Sequence, residues 1–160
     1  MIQKRIGDED LKLLLLARAL RSGISVRLKA LGTSMLPSVW PGDLLTIHSA
    51  GFDDVAAGDI VLVVRDHCFF IHRLIEKRQS QGLLWCITKG DAIPHNDPPA
   101  PASELLGKVL RIERKHRGMV PARKVAPLSK IVALVLCYVH PLRNLAVGLH
   151  SMRSGASVVE

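Results

Sequence analysis

A mainly β fold with a short helix at each end is what this sequence predicts, and three observations carry the expectation. Six short stretches between residues 26 and 113 either alternate apolar and polar side chains or run together as β-branched clusters, as pleated strands do. Gly-Asp turns or a polar, Gly-containing loop open or separate several of them, as short antiparallel strands require. Helical signals fall only near the two ends of the chain. The result is a compact, mostly antiparallel domain capped by helices.

In chain order, residues 11–20 read as a short amphipathic helix. Residues 26–31 alternate apolar and basic side chains, so they form a half-buried strand that leads into a turn at Ser34. Residues 44–47 follow Pro-Gly-Asp and residues 60–64 follow Ala-Gly-Asp; both are short runs opened by a turn. Residues 68–75 and 83–88 flank a polar loop at 77–82 and read as hairpin arms. Residues 94–101 are a Pro-rich loop, and residues 105–113 are a last strand. This divides the 160 residues into an N-terminal amphipathic helix (1–24), a central β domain (25–115) and a basic stretch with an apolar helix (116–160).

Composition narrows the function. An apolar content of 48% is too high for a disordered chain. A formal charge of +8 points toward an anionic surface. The excess gathers between Lys108 and Lys130, where eight basic residues face Glu113 alone. Beside it, residues 131–139 form an uncharged apolar run, too short to span a bilayer but suited to lying in an anionic membrane interface, or to packing on the domain's own core. Membrane association is favoured over a free cytoplasmic location. Cys68, Cys86 and Cys137 form no paired motif and are expected to be small buried side chains. His95 and Asp97 lack partners at metal-ligand spacing, and no cofactor is expected.

The chemistry gathers around Gly32-Thr33-Ser34-Met35-Leu36-Pro37. A serine hydroxyl is a weak nucleophile until a neighbouring base takes its proton. His72, in Phe69-Phe70-Ile71-His72, is the best candidate, because an apolar setting favours the neutral imidazole. A carboxylate must then orient the ring, and the following loop offers two, Asp91 and Asp97. The Ser34 N–H and the Thr33 hydroxyl are the candidate oxyanion donors.

Gly-Thr-Ser-Met-Leu-Pro, Pro-Gly-Asp-Leu-Leu, Ala-Gly-Asp-Ile-Val, Ile-His-Arg-Leu-Ile, Thr-Lys-Gly-Asp and Leu-Gly-Lys-Val-Leu-Arg resemble, in order, the boxes of type I signal peptidases. The resemblance covers residues 26–112. With histidine at position 72 where bacterial members have lysine, the chain resembles the archaeal and endoplasmic-reticulum Ser/His type. The Gly-x-Ser-Met order is also similar to LexA-type self-cleaving repressors and mitochondrial inner-membrane peptidases, which keep a lysine base. The resemblance implies the signal peptidase/LexA-like β catalytic fold and a serine endopeptidase acting through an acyl-enzyme on Ser34. It implies Asp97 as the triad aspartate and Asp91 as its support. It further implies a peptide or preprotein substrate, such as a leader or signal segment, lying as an added strand with small residues before the cut. Gly32 stands where the family often has an oxyanion-donating serine, Ala92 stands where it has asparagine, and a short charged segment, residues 8–21, stands where it carries a membrane anchor, a role a membrane-anchored partner could fill. The alternatives are a catalytically silent scaffold and a regulatory LexA-like domain. Specific nucleic-acid binding is not expected, since the 33 residues before Ser34 leave little room for a DNA-binding domain.

Overall fold

The computed structural model describes residues 8–65 and 68–124. Helix α1 (Asp8–Arg21) is followed by strands β1 (Val26–Lys29), β2 (Leu44–Ser49), β3 (Ile60–Arg65), β4 (Cys68–Ser80), β5 (Leu83–Lys89), β6 (Ala100–Pro101), β7 (Leu105–Arg114) and β8 (Arg117–Met119). Among the described residues the fold is mainly β. Seven strands hydrogen-bond in the order β1-β2-β7-β3-β4-β5-β6, and β8 pairs with β7. Every pairing is antiparallel.

The layout follows from β3. Its first four residues, Ile60, Val61, Leu62 and Val63, are all buried, which is why this strand reads as a continuous apolar run rather than an alternation. Ile60 and Leu62 enter one core with Leu45, Ile47, Val109 and Ile112, while Val61 and Val63 enter a second with Leu74, Cys86 and Leu105. Successive strand residues point to opposite faces, so one strand feeds both cores. Helix α1 covers the first core through the fully buried Leu20, with Leu16 and Ala17 against it. Burial of a leucine of this kind stabilises by about 2 kcal/mol. Arg18 and Arg21 lie in its last turn, where cations favour the helix dipole.

The strands predicted from sequence are present, with differences that have physical causes. The first is shorter than residues 26–31: after Lys29 the chain holds irregular bonds, Ala30 N–H to Asp43 O and Gly42 N–H to Ala30 O, each 2.8 Å, and Leu31 is 84% exposed. The polar loop expected at 77–82 is mostly strand. β4 continues to Ser80, and only Gln81 and Gly82, both with positive φ, form the turn. Here a hairpin arm stands out in solvent, so polar side chains decorate a strand. Two short strands, β6 and β8, escaped the periodicity, being two and three residues long.

Cys86 is buried, and burial pushes its thiol above the ordinary value against the opposing charge of Lys77. Cys68 is exposed, contrary to expectation, because it stands at the solvent-facing start of β4. The apolar helix expected at 131–139, its basic approach beyond Lys124, and Cys137 lie outside the described residues. No helix among the described residues is long and apolar enough to cross a membrane.

Candidate active site

Ser34 sits in a run of tight turns between β1 and β2. Leu36 N–H reaches Thr33 O at 3.2 Å and Val39 N–H reaches Met35 O at 3.0 Å, which coils the chain. Met35, Leu36 and Val39 are buried and anchor the turn in the core, leaving the Ser34 hydroxyl turned toward β4. Two ion pairs brace it. Arg114 of β7 grips Asp43 with Nε at 2.9 Å and Nη2 at 2.6 Å, and also donates to the Ser38 carbonyl at 3.2 Å. On the other side Arg73 of β4 holds Asp91 in the same forked way, at 2.8 and 2.7 Å.

His72 is fixed by register. It pairs with Val61 on β3, and β4 begins to pair with β5 only at the next residue, Arg73. The buried imidazole lies between Ser34 and Asp97: Nδ1 is 2.6 Å from Asp97 Oδ2 and Nε2 is 3.0 Å from Ser34 Oγ. A carboxylate only accepts, so Nδ1 carries the proton and donates to Asp97. That tautomer leaves the Nε2 lone pair facing the Ser34 hydroxyl. Asp97 is held in turn by the Thr88 hydroxyl, which donates to the same Oδ2 at 2.6 Å, and by its own N–H to Thr88 O at 2.8 Å.

The loop after β5 is pressed against the serine. Ala92 N–H donates to Ser34 O at 2.8 Å. Gly90 must be glycine, because a Cβ there would lie 2.7 Å from Ser34 O and 2.8 Å from Ile93. This contact brings the Thr-Lys-Gly-Asp box against the Ser34 turn across more than fifty residues of chain.

The site therefore gathers Ser34, His72 and Asp97 in one hydrogen-bonded line and separates Asp91 from them. Asp91 is committed to Arg73, and the Ser38 hydroxyl donates to it at 2.5 Å. Among the described residues, neither the Ser34 N–H nor the Thr33 hydroxyl donates to another group. Open space surrounds the position where a side chain on Gly32 would begin. Sequence reasoning missed Ser38, Arg73 and Thr88 as members of the site. Arg73 and Thr88 lie inside the Ile-His-Arg-Leu-Ile and Thr-Lys-Gly-Asp boxes, and the signal for Arg73 was a cation placed directly after His72 and inside an apolar strand.

Beside Ser34 and His72 opens a cleft of about 390 Å³. Its walls are residues 28–32 and residues 69–72, and its floor is apolar, with Met35, Val39 and Leu45 from the first core. Strand edges contribute to both walls: β1, which ends at Lys29 and leads into irregular chain at 30–32, bonds only to β2, and the 68–72 half of β4 bonds only to β3, among the described residues. Such edges carry unused N–H and C=O groups.

Among the described residues no group of three His, Cys, Asp or Glu side chains could hold a metal ion. No protein-family model matches the chain, and no curated protein is significantly similar to it.

Proposed function

We propose that the protein is a serine endopeptidase of the signal peptidase-like type, with Ser34 as nucleophile, His72 as general base and Asp97 as its orienting carboxylate. The observation that carries this reading is the unbroken line Ser34 Oγ, His72 Nε2, His72 Nδ1, Asp97 Oδ2, with separations of 3.0 and 2.6 Å across the two hydrogen bonds. The signal peptidase/LexA-like fold belongs to the same proposal.

The mechanism follows from the donors and acceptors. An extended peptide enters the cleft and completes the hydrogen bonding of the β1 edge, which carries its scissile carbonyl to Ser34. His72 Nε2 takes the hydroxyl proton as Oγ attacks the carbonyl carbon. Asp97 accepts from Nδ1–H and stabilises the imidazolium that forms. Negative charge on the tetrahedral intermediate is met by the Ser34 N–H and the Thr33 hydroxyl, neither of which donates elsewhere among the described residues. His72 then gives its proton to the departing amine, leaving an acyl-enzyme on Ser34. Water enters with the same histidine as base and releases the acid. The apolar floor favours apolar residues on the acyl side of the cut, and the family resemblance adds a preference for small ones, as in a leader or signal segment.

A randomised library of extended peptides, read by mass spectrometry after incubation with the full chain, tests the assignment. Wild type is expected to cleave a sequence-restricted subset. Ser34→Ala should lower turnover by about 10³-fold or more while the protein stays folded. Equal cleavage by the two proteins would sink the catalytic reading.

A further inference from the structure

The buried guanidinium of Arg73 reaches beyond the site. Nε and Nη2 hold Asp91, and Nη2 also donates to Ser38 at 3.2 Å. Nη1 turns the other way and donates to three carbonyls: Gly58 at 2.6 Å, Ala122 at 2.8 Å and Arg123 at 3.4 Å. A cation that is only 6% exposed needs acceptors on every side. Two of the three carbonyls come from residues 121–124, which follow β8 and are distant in sequence.

That short segment is latched at a second point. Arg123 Nε donates to Asp59 Oδ1 at 2.8 Å. Asp59 is itself buried and tied to the sheet, since its carbonyl accepts Leu74 N–H at 2.8 Å. Gly58 is shaped to the same segment: its φ is +97°, and a Cβ there would run into the Arg123 carbonyl. Three residues, Gly58, Asp59 and Arg73, are thus built around residues 122 and 123.

The neighbour of Arg73 on β4 is His72, and the far side of the guanidinium holds Asp91 and Ser38, which support the Ser34 turn. A displacement of Arg73 therefore acts on both reacting groups, and reacting geometry is sensitive to shifts of about 1 Å. We propose that residues 121–124 form a strap that positions Ser34 and His72 for reaction, with Arg73 and Arg123 as positioning residues that act through the strap and touch no substrate. The proposal rests on the serine-endopeptidase reading. Displacing residues 122 and 123 removes two of the three Nη1 acceptors and loosens the site, so this short segment bears directly on catalysis.

The test compares full-length wild type, Arg123→Ala and Arg123→Lys on a peptide the wild type cleaves, with kcat and KM measured separately across pH and folding checked by circular dichroism. Arg123→Ala should lower kcat about tenfold, with KM within about twofold, because the lost interaction acts on geometry and not on binding. The acidic limb of the kcat–pH profile, which reports the base in the bound state, should move. Arg123→Lys should restore most of the rate by pairing again with Asp59. If Arg123→Ala keeps the wild-type kcat and pH profile and only melts at a lower temperature, the strap is merely structural and the proposal is overturned. Should Arg123→Ala not fold, Asp59→Asn weakens the same latch from the other side and is read in the same way. Turnover that survives Ser34→Ala removes the endopeptidase reading and the strap with it, whereas Ser34-dependent turnover indifferent to Arg123 removes the strap alone.

Discussion

Asp97 and Asp91 lie six residues apart at the two ends of one loop, yet their surroundings are opposite. Asp97 keeps 21% of its side chain exposed and meets a histidine and a hydroxyl, His72 and Thr88. Asp91 keeps 4%, forked by a permanent cation, Arg73, and capped by Ser38. A carboxylate held by a permanent cation cannot take part in proton movement without leaving a buried charge alone, so Asp91 is a fixture of the wall. A carboxylate facing an imidazole shares in that ring's change of charge, so Asp97 can serve chemistry. Two copies of one residue type are thus divided between a buried ion pair and a contact with an imidazole by which partner the sheet presents.

The largest effect expected from breaking this contrast is on Asp97. Asp97→Asn should leave the melting temperature nearly unchanged while kcat falls by about 10⁴-fold, because an amide can donate to Nδ1 and so stabilise the wrong tautomer. A fall of only a few-fold would move the orienting role elsewhere. Asp91→Ala should show the reverse balance. It leaves Arg73 buried without its counter-charge, which costs about 3–5 kcal/mol of stability, and chemical denaturation would measure that loss directly. If Asp91→Ala instead kept its stability and lost only kcat, the division between the two aspartates would be wrong.

Asp59 sharpens the comparison at smaller amplitude, as a second structural carboxylate remote from the serine. Burial alone would raise its pKa, but the Ala56 N–H, Arg123 and Lys108 more than offset that and hold it below the ordinary value. A depressed folded-state pKa means that the stabilisation is fully present above the unfolded value of about 4 and is lost as pH falls through the folded value. Asp59→Asn should therefore lower stability at neutral pH and flatten its decline below about pH 4, as thermal melts across that range would record. An unchanged acid slope would show that Asp59 takes no part in the acid response.

Much of this was legible in the residues. The β-branched run at 60–64 announced a strand, though not that both its faces are buried, and the pattern of Ser34, His72 and a later aspartate announced side chains that the structure brings into one hydrogen-bonded line. The choice between Asp91 and Asp97 was not legible locally, because it depends on where Arg73 points, and that is decided by the pairing of β4 with β3 and β5. Ser38 and Thr88 stayed hidden for a related reason: their hydroxyls matter through partners 53 and 9 residues away. The polar arm 77–80 was misread as loop because composition there reports solvent exposure rather than backbone shape. Gly58 and Gly90 were visible only as glycines of the Ala-Gly-Asp and Thr-Lys-Gly-Asp boxes, because the atoms that approach them, from Arg123 and Ser34, come from distant chain.

The central claim is that Ser34 and His72 act as one chemical unit. It is tested most directly by measuring kcat/KM for Ser34→Ala, His72→Ala and the double variant on one cleaved peptide. Residues that work as a unit lose nearly everything with the first substitution, so each single variant should fall by about 10³-fold or more and the double variant no further. Losses that multiply in the double variant, or a His72→Ala variant that retains wild-type turnover, would contradict the account.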